Sequence, residues 1–426
     1  MTASRRSRSS LNEQKLRLVK PRWAFGLTFV GAVLVAGGIF YGLVVLLDFQ
    51  EIDSTAKLDA KTLFDLVKLS FGVVAGAGAL VALVVAYRRQ RVDEAGAHRE
   101  ATRLHAERFS QAVDKLGSDS PAVRLGGVHA LAGLADDAPT QDLRQTCIDV
   151  LCAYLRLPFS PDPGDLPDPL PDGSSPTEER RDTHQDKTDR YHALREVRHT
   201  ILRLIGDHYR IPRGTHRSWQ GCNLDLTRVT IDGDMNFCGA TFSGGIVSFH
   251  GATFSDGKVP FTRATFSGGE VSFADATFSG GEVSFSGAVF SDGEVSFHAA
   301  TFSGAEVYFT TATLSGSEVS FSGAVFSHGT VDFGAATFSG GRVYFRAVFS
   351  GGLVNISDAT FTGSEVYLGG STFSGGEVYF SGAVFSGGTV NFSSATGSTP
   401  AELLAAIGAP VPATVTLPPA WLPPVR

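Results

Sequence analysis

The residues best placed to do chemistry in this chain are glutamates that return at a fixed interval. Glu270, Glu282, Glu294, Glu306 and Glu318 are 12 apart, and Glu365 and Glu377 hold the same repeat position further along. Lys258, Thr330, Arg342 and Thr389 interrupt the series. Carboxylates in a row can take a cation, repel a neighbouring edge, or offer an acidic surface to a protein. Calcium needs several oxygen ligands converging on one point, and here the residues beside each acid are Gly and Val. Tyr308, Tyr344, Tyr367 and Tyr379 each lie two residues after this position. Together with Glu270, Glu282, Glu294, Glu306 and Glu318 they make a candidate partner surface.

Other chemistry-bearing side chains lack the spacing that a site requires. His192, His199 and His208 are not at i,i+4 and no HExxH-type motif includes them, so they are expected on a helix surface. His250, His298 and His328 occupy different positions of the repeat. Ser243, Ser267 and Ser279 recur too often to be nucleophiles. The four cysteines, at 147, 152, 222 and 238, form no paired zinc motif and no disulfide framework, which fits a reducing compartment. Cys147 and Cys152 fall on the apolar face of a helical pattern. There is no phosphate loop, dinucleotide fingerprint or nucleophile elbow. The expectation is a protein with no catalytic residues, no metal and no cofactor.

The elements that carry these residues are set by phenylalanine, of which the chain has 32, alongside 49 glycines. Phe242, Phe254, Phe266, Phe278, Phe290 and Phe302 are 12 apart, and Leu314, Phe326 and Phe338 continue the series. A second series runs from Phe249 through Phe261, Phe273 and Phe285 to Phe345, and the two alternate steps of seven and five. Two residues before each member is Ala or Val. The unit is thus A-T-F-S-G-G-E-V-S-F-x-x, with two small-polar-large triplets joined by Gly-rich corners. Alternation puts the ends of a triplet on one face and its middle on the other, as in a strand. The middles, among them Thr265, Ser272, Ser284 and Tyr308, should therefore be solvated. Between Phe345 and Phe349 the step shrinks to four, and the residue is lost from a corner, with both triplets intact. Such short strands must stack on copies of themselves. An antiparallel meander with Gly-Gly hairpins is the rival arrangement, but it would leave a Phe face with no layer to cover it.

In these triplets the chain resembles the pentapeptide-repeat proteins, whose unit has a large apolar residue at its centre and a small one two before it. The match is closest at Cys222-Asn-Leu224, Thr227-Arg-Val229, Met235-Asn-Phe237 and Ala240-Thr-Phe242. Beyond them two residues are added in alternate corners. The resemblance implies an all-β, right-handed quadrilateral β-helix with four triplets per turn. Counted from 240 to 392, it predicts six and a half coils, roughly 31 Å tall. It also implies a binding or scaffolding role. Some members of the family are held to imitate DNA, so an acidic inhibitor of a nucleic-acid enzyme is the alternative. After the repeats, Thr399-Pro-Ala-Glu402 reads as a capping box for a short helix that covers the open end.

The N-terminal part has another character. Residues 24–47 and 69–87 carry no charge, and each run is long enough to span a bilayer. Seven Lys/Arg and one acid precede the first, Arg88, Arg89 and Arg91 follow the second, and the connector is acidic. Positive-inside then places both termini in the cytoplasm of a multi-pass protein of the cell membrane. With no ionisable residue deep in either run, the spans look like an anchor; an accessory subunit of a transport or sensing complex is a further alternative.

The resulting plan is a basic N-terminus at 1–22, a first span at 23–48, a short external loop at 49–63 and a second span at 64–88. A cytoplasmic helical segment at 89–157, a Pro-rich polar linker at 158–190, a helix and lead-in at 191–218, the β-solenoid at 219–395 and a cap and tail at 396–426 follow. The implied partners are the lipid bilayer and an unidentified protein. Direct nucleic-acid binding is not expected, and self-association into a homo-oligomer is left open.

Overall fold

The computed structural model describes residues 60–160, 162–168 and 175–422, and helical positions 30, 31, 34, 35, 37, 38, 41, 42 and 45. The expected first span and the loop after it lie for the most part outside the described residues. The chain divides into two units, Met1–Glu100 and Ala101–Arg426. Helix α1 (Ala60–Leu116) runs across that division. It holds an 18-residue window of mean hydropathy 2.3 with none of it buried. Among the described residues this is the one helix long and apolar enough to cross a membrane.

In the second unit α2 (Pro121–Asp136) and α3 (Gln141–Arg156) follow α1 as short helices. Pro121 occupies the first turn of α2, where the missing amide costs nothing. Thr140 caps α3 by accepting a hydrogen bond from the Leu143 amide. The next helix, α4 (Glu178–Arg210), starts 13 residues before 191, so 178–190 is helix and not linker. Thr177 caps it, with Glu178 and Glu179 in the first turn against the helix dipole. These acids and the spacing of Tyr191 to Tyr209 make one helix out of what composition alone divides in two. Only its second half is apolar enough to pack, and Val197, Ile201 and Ile205 are fully buried. Gly206 is required where α4 meets the first coil, because a β-carbon there would come within 2.7 Å of the Asn236 carbonyl oxygen.

From Leu224 onward the chain winds as a β-solenoid. All pairings are parallel, which excludes the antiparallel meander. One ladder links Leu224, Val247, Val271, Val295, Val319, Val343, Val366, Val390 and Val415. The turn is therefore four triplets, and the solenoid has about 8 turns. At about 4.8 Å per step it is about 38 Å tall. This exceeds the count from Phe triplets because the ladder starts at Leu224, before the Phe series, and the strand Val415–Thr416 adds a rung after it. The shortened corner behaves as its sequence requires. Val325 pairs with Val348, a step of 23, and the register of every triplet is kept.

Inside, the Phe side chains form four stacks. In one, Phe237, Phe261, Phe285, Phe309 and Phe333 follow each other at 4.8, 4.8, 4.7 and 4.6 Å. Phe273 and Phe297 meet Phe285 edge-on from the opposite face, both at 5.8 Å. Each such burial is worth about 1.5–3 kcal/mol, and the ring geometry adds to it. Corner hydroxyls tie coils together: Ser291 Oγ donates to the Phe266 carbonyl at 3.3 Å and Ser327 Oγ to that of Phe302 at 3.2 Å.

One middle position differs from expectation. Ser284 is only 6% exposed. It lies between Pro260 and Tyr308 on adjacent rungs, which cover it, and its hydroxyl bonds to Thr262 and Ser286.

The far end is closed by the tail. Helix α5 (Leu403–Ile407) buries Leu403 and Ile407. The capping box is not formed: Glu402 itself occupies the cap in a left-handed conformation, with no side-chain cap bond. Trp421 packs edge-on against Phe373 at 5.5 Å, and its indole N–H donates to the Gly397 carbonyl at 3.0 Å.

Candidate interaction surface

Four triplets per turn give four outer faces. The first, 240–242 and its copies, and the third, 252–254 and its copies, present columns of Thr and Val, from Thr265 to Val384 and from Thr253 to Thr396. The second, 247–249, and the fourth, 259–261, carry the larger polar residues. The two longer corners lead into these two faces, and the glutamates stand on them because the added Gly-Glu pair lies there. Most of these corners turn through a glycine at positive φ, as at Gly281, where φ is +70°.

The glutamates thus form two columns. Glu270, Glu294 and Glu318 stack at the corner before the second face, with Arg342 next and then Glu365. Glu282 and Glu306 stack before the fourth face, above Lys258, while Thr330 and Leu353 separate them from Glu377. Like charges one rung apart repel by about 1 kcal/mol in water. The bases that break the columns relieve this: Lys258 Nζ is 3.2 Å from Glu282 and Arg342 Nε 3.2 Å from Glu365.

The tyrosines divide in the same way. Tyr344 and Tyr367 stack at 5.1 Å on the second face. Tyr308 and Tyr379 lie on the fourth, with Asp332 and Asn355 on the two rungs between them, so they do not touch. Each Glu-Val-Tyr unit closes on itself. The Tyr308 hydroxyl donates to Glu306 at 2.8 Å, Tyr367 to Glu365 at 2.9 Å and Tyr379 to Glu377 at 3.1 Å. The bond to Glu306, with burial, pushes the Tyr308 phenol up to about 12. The nine candidate residues are therefore two strips on separate faces, each an acid edge with tyrosines beside it. The second face also holds an open concavity of about 640 Å³ around the tyrosine pair.

Two charged clusters at the foot of the solenoid were invisible as sites in the sequence. Asp136 is buried and takes hydrogen bonds from Arg217 Nε at 2.9 Å and Trp219 Nε1 at 3.1 Å, with His208 Nε2 at 3.3 Å. Burial pushes its carboxyl up, but these partners outweigh it and hold it below the usual range. Asp232 receives Arg195 at 2.9 Å and His199 at 3.1 Å. Burial raises this carboxyl too, and His199 and Arg195 bring it to about 2. His199 and His208 are thus docking residues of α4, not the surface histidines their spacing implied; His192 is exposed. Cys147 and Cys152 are buried, which pushes their thiols up to about 11 and about 12, so neither is a nucleophile at neutral pH. Among the described residues no group of His, Cys, Asp and Glu is arranged to hold a metal ion.

Residues 239–289 match the family model described as pentapeptide repeats (9 copies). No curated protein matches the chain. The matched segment covers the first two turns in which the 12-residue unit is regular, and the parallel ladders continue unchanged on both sides of it.

Proposed function

We propose that this pentapeptide-repeat chain is a membrane-tethered scaffold that holds a protein partner on the sides of its solenoid. The observation that carries this is the closure of both ends. At the foot, α3 and α4 cover the first coil. At the top, α5 and Trp421 cover the last. An end with no cover would pair edge to edge with any free strand. With both covered, the free surface is lateral, and the acid-edged faces with tyrosines are the chemically distinct part of it. Repetition of one structural unit, with no activated nucleophile among the described residues, fits holding rather than converting a partner.

Tethering rests on α1 and on the flanking charges. The finer topology, two spans with both termini in the cytoplasm of the cell membrane, follows from the same charges and belongs to this proposal. Cysteines placed at Thr55 and at Ser175 test it: an impermeant thiol reagent applied to intact cells should label only Thr55→Cys, and the reverse pattern would overturn it. For the partner surface, photo-crosslinking residues at Ser296, on the second face, and at Thr313, on the first, would be compared in cells. Adducts should form from Ser296 in clear excess. Equal yields from both faces would remove the basis for a sided scaffold.

A further inference from the structure

The irregularities of the solenoid meet at one place. Among the described residues, the only corner with a single residue is that of Arg346, on the second face. Along this corner, amides donate to the carbonyl one coil up: Gly251 to Ala274, Asp275 to His298, Ala299 to Ser322 and Gly323 to Arg346. At Arg346 the series stops. Among the described residues, neither Gly369 nor Gly370 donates its amide to a backbone carbonyl of the next coil. The exposed Arg346 has no ion-pair partner among the described residues, and it leans toward this corner: its Nε is 3.5 Å from where a β-carbon on Gly370 would stand. A free guanidinium beside unpaired amides is an anion site.

The same concavity offers an aromatic surface. Tyr344 and Tyr367 stack on each other, and the ladder then ends, because the next rung above carries Asn391 and the one below Ser320. The rung above Tyr367 carries the shorter Asn391, whose side-chain oxygen accepts the Ser393 amide at 2.8 Å. The Tyr367 hydroxyl is fixed on Glu365, which holds the ring in place. A planar ring laid on Tyr367 would continue the stack at the rung spacing. Glu318, on the opposite edge of the concavity, repels a polyanion, which restricts the ligand to a small one with a single anionic group.

We propose that this concavity binds a mononucleotide, with the base on Tyr367 above Asn391 and the phosphate at Arg346 and the 369–370 amides. It stands independently of the scaffold role. The test is calorimetric titration of the full chain in detergent with AMP, GMP, CMP and UMP, and with adenosine and inorganic phosphate as the separate halves. At least one nucleotide should bind with a Kd below about 1 mM. Each half should bind about tenfold more weakly, since stacking and charge each contribute that much. Arg346→Gln should weaken the nucleotide about tenfold. Asn391→Tyr extends the tyrosine stack into the base position and should abolish binding with Tm unchanged or raised, which separates a filled site from a misfolded chain. No binding by any of the four up to about 5 mM, phosphate alone binding as tightly as the nucleotide, or full affinity in either variant would overturn the proposal.

Discussion

The body of the solenoid and its foot are stabilised in opposite ways. In the body every turn repeats the same apolar contacts: Phe285 touches Phe261 below, Phe309 above, and Phe273 and Phe297 across. At the foot the contacts occur once. Asp136 holds His208, Arg217 and Trp219, and Asp232 holds Arg195 and His199. A ladder has no preferred register along its own axis, since each coil fits any other. The charged contacts of the foot exist at one position only, so they tell the first coil where to begin. Specificity is concentrated in a few polar contacts, and cohesion is distributed over many apolar ones.

Four measurements would break or sharpen this contrast. Phe285→Ala should cost the most, about 3–5 kcal/mol by chemical denaturation, with loss of protection spreading to adjacent coils. Asp136→Ala removes an acceptor from the buried His208 and Trp219 and from the exposed Arg217 and should cost about 2–3 kcal/mol, with exchange protection lost in α4 before the upper coils. Equal loss along the whole solenoid would show that the foot is not separable from the body.

Asp232 gives a smaller and pH-dependent effect. Its carboxyl titrates at about 2 in the folded chain, against about 4 for an ordinary aspartate. A lowered acid pKa stabilises above the unfolded value and is lost as pH falls through the folded one. The contribution, about 2 kcal/mol, should be intact above about pH 4 and disappear toward pH 2. Asp232→Asn should flatten that acid limb in a pH series of melting temperatures while leaving the alkaline side alone. The smallest effect distinguishes two serines of one repeat. Ser284→Ala should cost about 1 kcal/mol because its hydroxyl is buried and bonded, while Ser296→Ala, half-exposed, should stay within about 0.5 kcal/mol. Equal values would mean that Pro260 and Tyr308 do not shield Ser284.

The body was legible from Phe spacing because one pattern repeats in step with one periodic structure. The alternation within each triplet, the conserved register across the Arg346 corner and the place of the glutamates on two corners all follow from counting. The foot was not legible. His199, His208, Arg217 and Trp219 come together from separate segments, and nothing local to them marks a partner 72 or 81 residues away. The same holds for Ser284, whose burial depends on neighbours at 260 and 308, and for Trp421, which reads as a tail residue until Phe373 is placed beneath it. The candidate surface lies between these cases: residue positions were readable, while the separation of Tyr308 and Tyr379 from Tyr344 and Tyr367 depended on which face each triplet occupies.

The closing of the last coil by residues that follow it has a consequence for biosynthesis. Every rung pairs with one 23 to 25 residues earlier, so each can form as soon as it leaves the ribosome, on a template already folded. The foot is synthesised first and gives that template its starting edge. Until α5 and Trp421 emerge, the newest rung is an uncapped strand edge above exposed Phe side chains, the kind of surface that recruits other chains. A transcript broken within the repeats would thus yield a well-ordered stump with an adhesive top, more hazardous to the cell than an unfolded fragment of the same length.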